Sequence, residues 1–162
     1  AAHNALARLQ QHYRVHIITQ NVDDLHERAG SRSVLHLHGE LGKLRSTVDE
    51  HYVVDWSGDQ QLSDCDPNGH PLRPHIVWFG EAVPLFDQAV ALMRQADVAV
   101  VVGTSMQVYP AASLIDFAPR QAPRHLVDPA PAAGLSGVQL HPFRAKEGVP
   151  VLVAHLIEQA MV

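Results

Sequence analysis

Side chains that can bind a ribose and move a proton lie close together early in the sequence. Gln20, Asn21 and Asp23 directly follow an apolar run, and their amides and carboxylate can hydrogen-bond ribose hydroxyls or a carboxamide. His38 stands just before Gly39, and an imidazole, which titrates near neutral pH, can accept a proton from a sugar hydroxyl. A histidine that merely closes a strand is the alternative, because the chain contains 12 histidines. Together these residues favour a nucleotide site beside a catalytic base.

Two later stretches carry similar groups at the ends of apolar runs. Gly103, Thr104 and Ser105 end the run 97–105, where glycine permits close backbone approach and the hydroxyl and N–H groups can hold phosphate. Asp128 ends a shorter run, where a carboxylate can bind a ribose diol. Each stretch alone is more typical of an ordinary turn. Because ligands of open parallel sheets bind beyond the carboxyl ends of the strands, three such ends together predict one shared site.

The hydrophobic pattern predicts alternating strands and helices that would position these groups. Predicted strands cover 14–20, 33–39, 75–81, 97–105 and 124–128. Predicted helices cover 23–30, 86–96, 111–118 and 146–161. They follow a first predicted helix, inside whose body the chain begins. This alternation predicts a three-layer α/β fold with a parallel sheet. Residues 41–74, rich in Asp, Ser, Gly and Pro, are predicted to form a small loop-rich insert module. A chain that opens inside a helix is predicted to be a fragment.

Composition excludes several classes of protein. The chain has 162 residues, of which 46% are hydrophobic and 18% charged, as in an ordinary globular domain. A net charge of −5 argues against nucleic acid as a partner, and no apolar run reaches the length of a membrane span. Cys65 is the only cysteine, which rules out an internal disulfide and fits a cytoplasmic setting.

Metal binding is a second reading of two groups of residues. His36 and His38 alternate on one strand face and could form a metal pair, and Cys65, His70 and His75 offer another possible ligand set. Neither group supplies the four tight ligands of a structural zinc site, so the prediction is that no metal is bound.

Three motifs in this sequence resemble those of the sirtuins, the NAD-dependent protein lysine deacylases. They are "ITQNVDDLHERAG…VLHLHGE", "RPHIVWFGEAVP" and "VVVGTSMQVYPAA", in family order and spacing over nearly the whole chain. The resemblance implies a Rossmann-like NAD-binding domain formed by residues 1–40 and 75–162, incomplete at the N-terminus, with 41–74 as the small module. It also implies a bacterial type of sirtuin that lacks zinc, because the module has one cysteine where most members have four.

The resemblance also assigns roles to individual residues. It implies that His38 is the catalytic base, that Asn21 and Asp23 orient the ribose and a water molecule, and that an acyl-lysine protein or peptide is the substrate. The acyl oxygen would attack the ribose as nicotinamide leaves, and hydrolysis would give free lysine and O-acyl-ADP-ribose. Trp78 is predicted to be a packing residue within the substrate strand. The implied cofactor residues are Gln20, Asn21, Val22, Asp23, Gly103, Thr104, Ser105, Asp128, Pro129, Ala130 and Ala145, and the implied substrate residues are Val77, Phe79, Gly80 and Glu81.

Departures from the family pattern leave other functions open. The family's Gly-Ala-Gly-x-Ser phosphate loop precedes the point where this chain begins, so the chain alone is expected to bind NAD poorly and could be inactive. Asp128 stands where many members have asparagine, which is expected to tune cofactor binding. The alternatives are an inactive nucleotide-binding or sensing module and an NAD-dependent ADP-ribosyltransferase, although retention of Asn21, Asp23 and His38 argues against a sensor. The preferred acyl group, the protein targets and the oligomeric state do not follow from the sequence.

Overall fold

The first quarter of the chain forms two helices and two parallel strands, which position the first predicted site residues. The computed structural model describes residues 1–104, 106–131 and 136–161. Helix α1 spans Ala2–Leu9, strand β1 Ile17–Thr19, helix α2 Leu25–Arg28 and strand β2 Val34–His36. Strands β1 and β2 are parallel, with Thr19 opposite His36. Their carboxyl ends therefore lie side by side, as the sequence predicts, and lead directly into the Gln20 and His38 segments.

An antiparallel sheet of three strands follows, where the sequence predicts a loop-rich module. Strand β3 spans Gly39–Ser46, β4 Val53–Asp55 and β5 Leu72–Ile76, in the order β4-β3-β5. The loop-rich prediction missed β3 because its sequence, GELGKLRS, has low strand propensity and is held in place by a partner on each side. The strand predicted at 75–81 ends at Ile76 instead. The assignment of 41–74 as a separate domain stays a prediction.

A second parallel sheet forms the rest of the fold. Helix α3 spans Phe86–Met93, β6 Ala99–Val102, a 3-10 helix Ala111–Phe117, β7 Arg124–Val127, β8 Gln139–His141 and α4 Ala145–Ala160. Strands β6, β7 and β8 are parallel and adjacent in that order. The sequence did not predict β8, since three residues of mixed polarity are too short for a periodic signal. None of the helices in the described part of the chain is long and apolar enough to cross a membrane.

Two apolar clusters join the helices to the parallel strands. The first joins α1 and α4 to Val127 of β7, and Gly148 of α4 lets the two elements approach, since a Cβ there would lie 2.6 Å from Val127 Cγ1. The second packs α3 and the 3-10 helix around Leu37, with Ile18 and Leu35 of the first parallel sheet. Parallel strands covered by helices in this way confirm the predicted Rossmann-like α/β class.

Candidate active site

His38 lies at the carboxyl end of β2, in a position where one ring nitrogen is held and the other is free to act. Its Nδ1 lies 3.2 Å from the carbonyl oxygen of Gln20. A carbonyl only accepts, so in the neutral ring Nδ1 carries the proton and Nε2 keeps its lone pair. The backbone of His38 is fixed as well, because Val77 N–H donates to its carbonyl over 3.0 Å. A half-buried imidazole held in this tautomer is suited to take a proton from a bound hydroxyl.

Gly39, the next residue, is required by the close approach of β5. It pairs with Ile76 and has a φ of +83°, in the left-handed region that favours glycine. A Cβ on this residue would overlap the carbonyl oxygen of His75 and lie 2.8 Å from its carbonyl carbon. Gly39 thus lets the backbone next to His38 pack directly against β5 of the antiparallel sheet.

The loop that faces His38 has its backbone held at successive residues. Asn21 N–H donates to Thr19 Oγ1 over 3.1 Å, and Leu41 N–H donates to the carbonyl of Val22 over 2.8 Å. Asp23 Oδ1 accepts the N–H of Leu25 over 3.1 Å and so starts α2. The side chain of Asn21 is exposed while its backbone is fixed, which is the arrangement expected of a ligand-orienting amide.

A second group of predicted residues lies at the ends of β6 and β7. Gly103 is exposed, has a φ of +60°, and donates its N–H to Val127 O over 2.9 Å. Thr104 Oγ1 accepts Met106 N–H over 3.2 Å, while Ser105 lies outside the described residues. Within the described ranges, no hydrogen bond joins this group to the His38 group.

The remaining residues predicted to contact the cofactor lie beyond β7 and at the start of α4. Asp128 Oδ1 accepts Ala130 N–H over 2.8 Å, so this carboxylate stabilises its own turn, while Pro129 and Ala130 are exposed. Ala145 begins α4, is half-buried, and packs against the first apolar cluster.

Glu81 forms the hydrogen bonds that fix the predicted substrate segment. Its carboxylate accepts Arg73 Nη1 at 2.7 Å and the backbone N–H of Trp78 at 3.0 Å, and Arg45 Nη2 lies 3.5 Å away. The hydrogen bond from Arg73 is the main cause that lowers the pKa of Glu81 to about 2. Phe79 is 97% exposed and Trp78 is 53% exposed, so the prediction that Trp78 is a packing residue is wrong. The chain turns at Gly80, whose φ is +89°, and Glu81 N–H donates to the carbonyl of Trp78 over 3.0 Å.

Sequence reasoning missed the partners that hold these segments in place. His36, considered above as a metal ligand, instead lies 2.7 Å from Glu27 Oε1 through Nε2 and 3.3 Å from Asn21 O through Nδ1. No motif or spacing rule marks Glu27 or Arg73 as partners. In the described part of the chain, no cluster of three or more candidate ligands could hold a metal ion, and Cys65 is exposed.

A cavity of about 450 Å³ lies away from these groups, on the antiparallel sheet. It lies beside the β3 end and Arg73, and none of the predicted cofactor or substrate residues lines it.

Comparison with known proteins extends the assignment from a fold to a family. Parallel strands with an imidazole, amides and a glycine turn at their carboxyl ends define a Rossmann-like α/β protein of the nucleotide-binding type. A family model described as "Sir2 family" matches residues 1–110. The chain is 57% identical over 138 residues to an NAD-dependent protein deacylase of Aggregatibacter actinomycetemcomitans, covering 85% of this chain and 66% of that protein. The chain belongs to the Sir2 family.

Solved structures agree with this membership. A Sir2 homolog–NAD complex superposes with a TM-score of 0.86 at 39% identity, covering 98% of this chain and 65% of the other. A Sir2–p53 peptide–NAD+ complex superposes with a TM-score of 0.77 at 29% identity, covering 99% of this chain and 69% of the other. The chain thus spans about two thirds of the length of these relatives.

Proposed function

We propose that the protein containing this chain is an NAD-dependent protein lysine deacylase. The observation that carries the proposal is the 3.2 Å contact between His38 Nδ1 and the carbonyl oxygen of Gln20, which in the neutral ring leaves Nε2 to accept a proton. Membership of the Sir2 family, with a relative named as such a deacylase, supports the same activity. NAD supplies an electrophilic ribose carbon and accepts the acyl group, with release of nicotinamide.

The residues of this chain bind, orient and move a proton in the proposed reaction. His38 Nε2 takes the proton from a ribose hydroxyl, and the amide of Asn21 and the carboxylate of Asp23 orient the ribose and a water molecule. Asn21 suits this role because its backbone is fixed by Thr19 while its side chain is free. Gln20 and Val22 complete this side of the site. The residues proposed to contact the rest of the cofactor are Gly103, Thr104, Ser105, Asp128, Pro129, Ala130 and Ala145.

An extended acyl-lysine peptide is the proposed substrate. Val77 lies beside His38 through a backbone hydrogen bond, and the exposed segment of Phe79 and Gly80 follows it. Val77 directly follows β5, and a backbone that continues a strand in this way can pair with a peptide strand, so that the acyl-lysine reaches the base. Glu81 is proposed to hold this segment in place rather than to contact the peptide, since its oxygens are already hydrogen-bonded.

The module is proposed to be stabilised without zinc. Its single cysteine does not fit a site built from four thiolates. The buried carboxylate of Asp66 accepts Ser46 Oγ at 2.7 Å and the N–H groups of Asn68 and His70 at 2.8 and 2.9 Å. These bonds join the end of β3 to the 66–70 turn. The exposed, unbonded Cys65 thiol supports the proposed cytoplasmic location.

Nicotinamide release from the full-length protein tests the proposed activity. With an acetyl-lysine peptide and NAD, the wild-type protein is expected to release nicotinamide, and His38→Ala is expected to stop it. His12→Ala is the matched control, because His12 is exposed and lies in the loop after α1. Release without peptide would instead indicate an ADP-ribosyltransferase, and NAD binding without turnover would indicate a sensor.

A further inference from the structure

His36 lies two residues before the proposed base and is placed to act on the same loop. The two histidines of this segment hold consecutive carbonyl groups, since His38 Nδ1 lies 3.2 Å from Gln20 O and His36 Nδ1 lies 3.3 Å from Asn21 O. His36 is buried, with 7% of its surface exposed, so it cannot contact the substrate from this position. Its effect on the reaction must pass through Asn21.

Both ring nitrogens of His36 face acceptors. The carbonyl oxygen of Asn21 can only accept, and the carboxylate of Glu27, 2.7 Å from Nε2, also accepts when ionised. Burial by itself would raise the pKa of Glu27, but the hydrogen bond from His36, together with a backbone hydrogen bond and the nearby rings of His36 and His26, holds that pKa below its usual range. A neutral imidazole has one N–H, so only the imidazolium form makes both bonds.

We propose that His36, held as an imidazolium by Glu27, is a positioning residue that fixes the backbone of Asn21 in the active site. Thr19 Oγ1 holds the N–H of Asn21 and His36 holds its carbonyl, so the residue is clamped on both sides of its Cα. The clamp determines where the Asn21 amide points. Only the expected effect of His36 on turnover rests on the proposed deacylase function; the proposed protonation of His36 does not.

The surroundings of His36 leave Glu27 as its charged partner. On α2, His26 also lies near this pair, and Asp23 precedes that helix. Burial, and then the neighbouring His3 of α1, lower the pKa of His26, which keeps that ring neutral near pH 7. When a rise in pH removes the second proton of His36, one of its two bonds is lost. The longer bond, to Asn21, is the weaker of the two.

Ring-nitrogen NMR of the full-length protein, labelled with ¹⁵N-histidine, tests the protonation of His36 without any turnover. Both nitrogens of His36 are expected to carry protons at pH 7. A bare nitrogen on His36 at pH 7 overturns the proposal. Because the measurement needs no substrate, it stands even if the proposed deacylase function fails.

Kinetics of nicotinamide release then test the positioning role. His36→Leu is expected to lower kcat roughly tenfold to a hundredfold, since a misplacement of about 1 Å costs up to that factor, with the peptide KM unchanged. Glu27→Gln, which keeps the shape of the side chain, is expected to move the alkaline fall of kcat to lower pH. The control Glu158→Gln alters an exposed carboxylate on α4 and is expected to leave the profile unchanged. A Glu27→Gln profile that superposes on the wild type overturns the role, even if His36→Leu fails to fold.

Discussion

Replacement of Gly39 by alanine tests the contact that joins the base to the antiparallel sheet. The new Cβ would meet the backbone of His75, which no side-chain rotation can relieve, at a residue with a φ of +83°. The left-handed conformation costs about 1–2 kcal/mol for a residue with a Cβ, and overpacking adds about 1–3 kcal/mol. The sum, about 2–5 kcal/mol, is a large part of the roughly 5–15 kcal/mol that stabilises a typical domain.

Urea unfolding of the full-length protein measures this loss. Tryptophan fluorescence is a suitable probe, because Trp56 and Trp78 are the only tryptophans in the chain and both lie close to this sheet in sequence. A parallel fall in nicotinamide release is expected, because the displaced β5 would disturb the hydrogen bond from Val77 to His38.

Substitutions at two other glycines separate the cost of the left-handed backbone from the cost of the steric clash. Gly58 has a φ of +87°, and a Cβ added there would have nothing within 4 Å, so Gly58→Ala is expected to cost only the conformational part, about 1–2 kcal/mol. Gly42 lies in β3, and its Cβ would also meet open space, so Gly42→Ala is expected to change stability by less than about 1 kcal/mol. Equal losses for Gly39→Ala and Gly58→Ala would refute the argument from collision.

Three further changes test other contacts. Burial would raise the pKa of Asp66, but hydrogen bonds, among them those from the backbone of His70 and from Ser46, lower it from 3.8 to about 2. The stability that the ionised Asp66 contributes should therefore be lost as pH falls through that range. Asp66→Asn should flatten the acid-unfolding curve there, and an unchanged curve would contradict this. Burial, and then His141, lower the pKa of His125, so stability should fall as pH drops below about 6.5. His125→Leu should reduce that slope in thermal melts, and an unchanged slope would assign it to the other histidines whose pKa burial lowers, such as His26. Glu81→Gln should raise the peptide KM by about three- to tenfold through loss of the Arg73 bond, and an equal rise in the NAD KM would argue against a role confined to the substrate segment.

Local patterns in the sequence were enough to predict the parallel strands and the residues at their ends. Runs rich in β-branched residues specify β1 and β6, and the apolar pair Leu126 and Val127 marks β7. The polar residues that follow each run then mark the carboxyl edge of the sheet. The lack of a four-cysteine site was equally evident, since a single Cys65 cannot supply it.

Only the tertiary structure decided which of these residues have partners and how the antiparallel sheet forms. Strand β3 has little strand propensity of its own and depends on backbone partners supplied by β4 and β5. His36 bonds to residues 9 and 15 positions away, which no periodicity links to it. A hydrogen bond depends on distance and direction in space, so the pairing of His36 with Glu27 and of Arg73 with Glu81 follows from the fold and not from any local pattern.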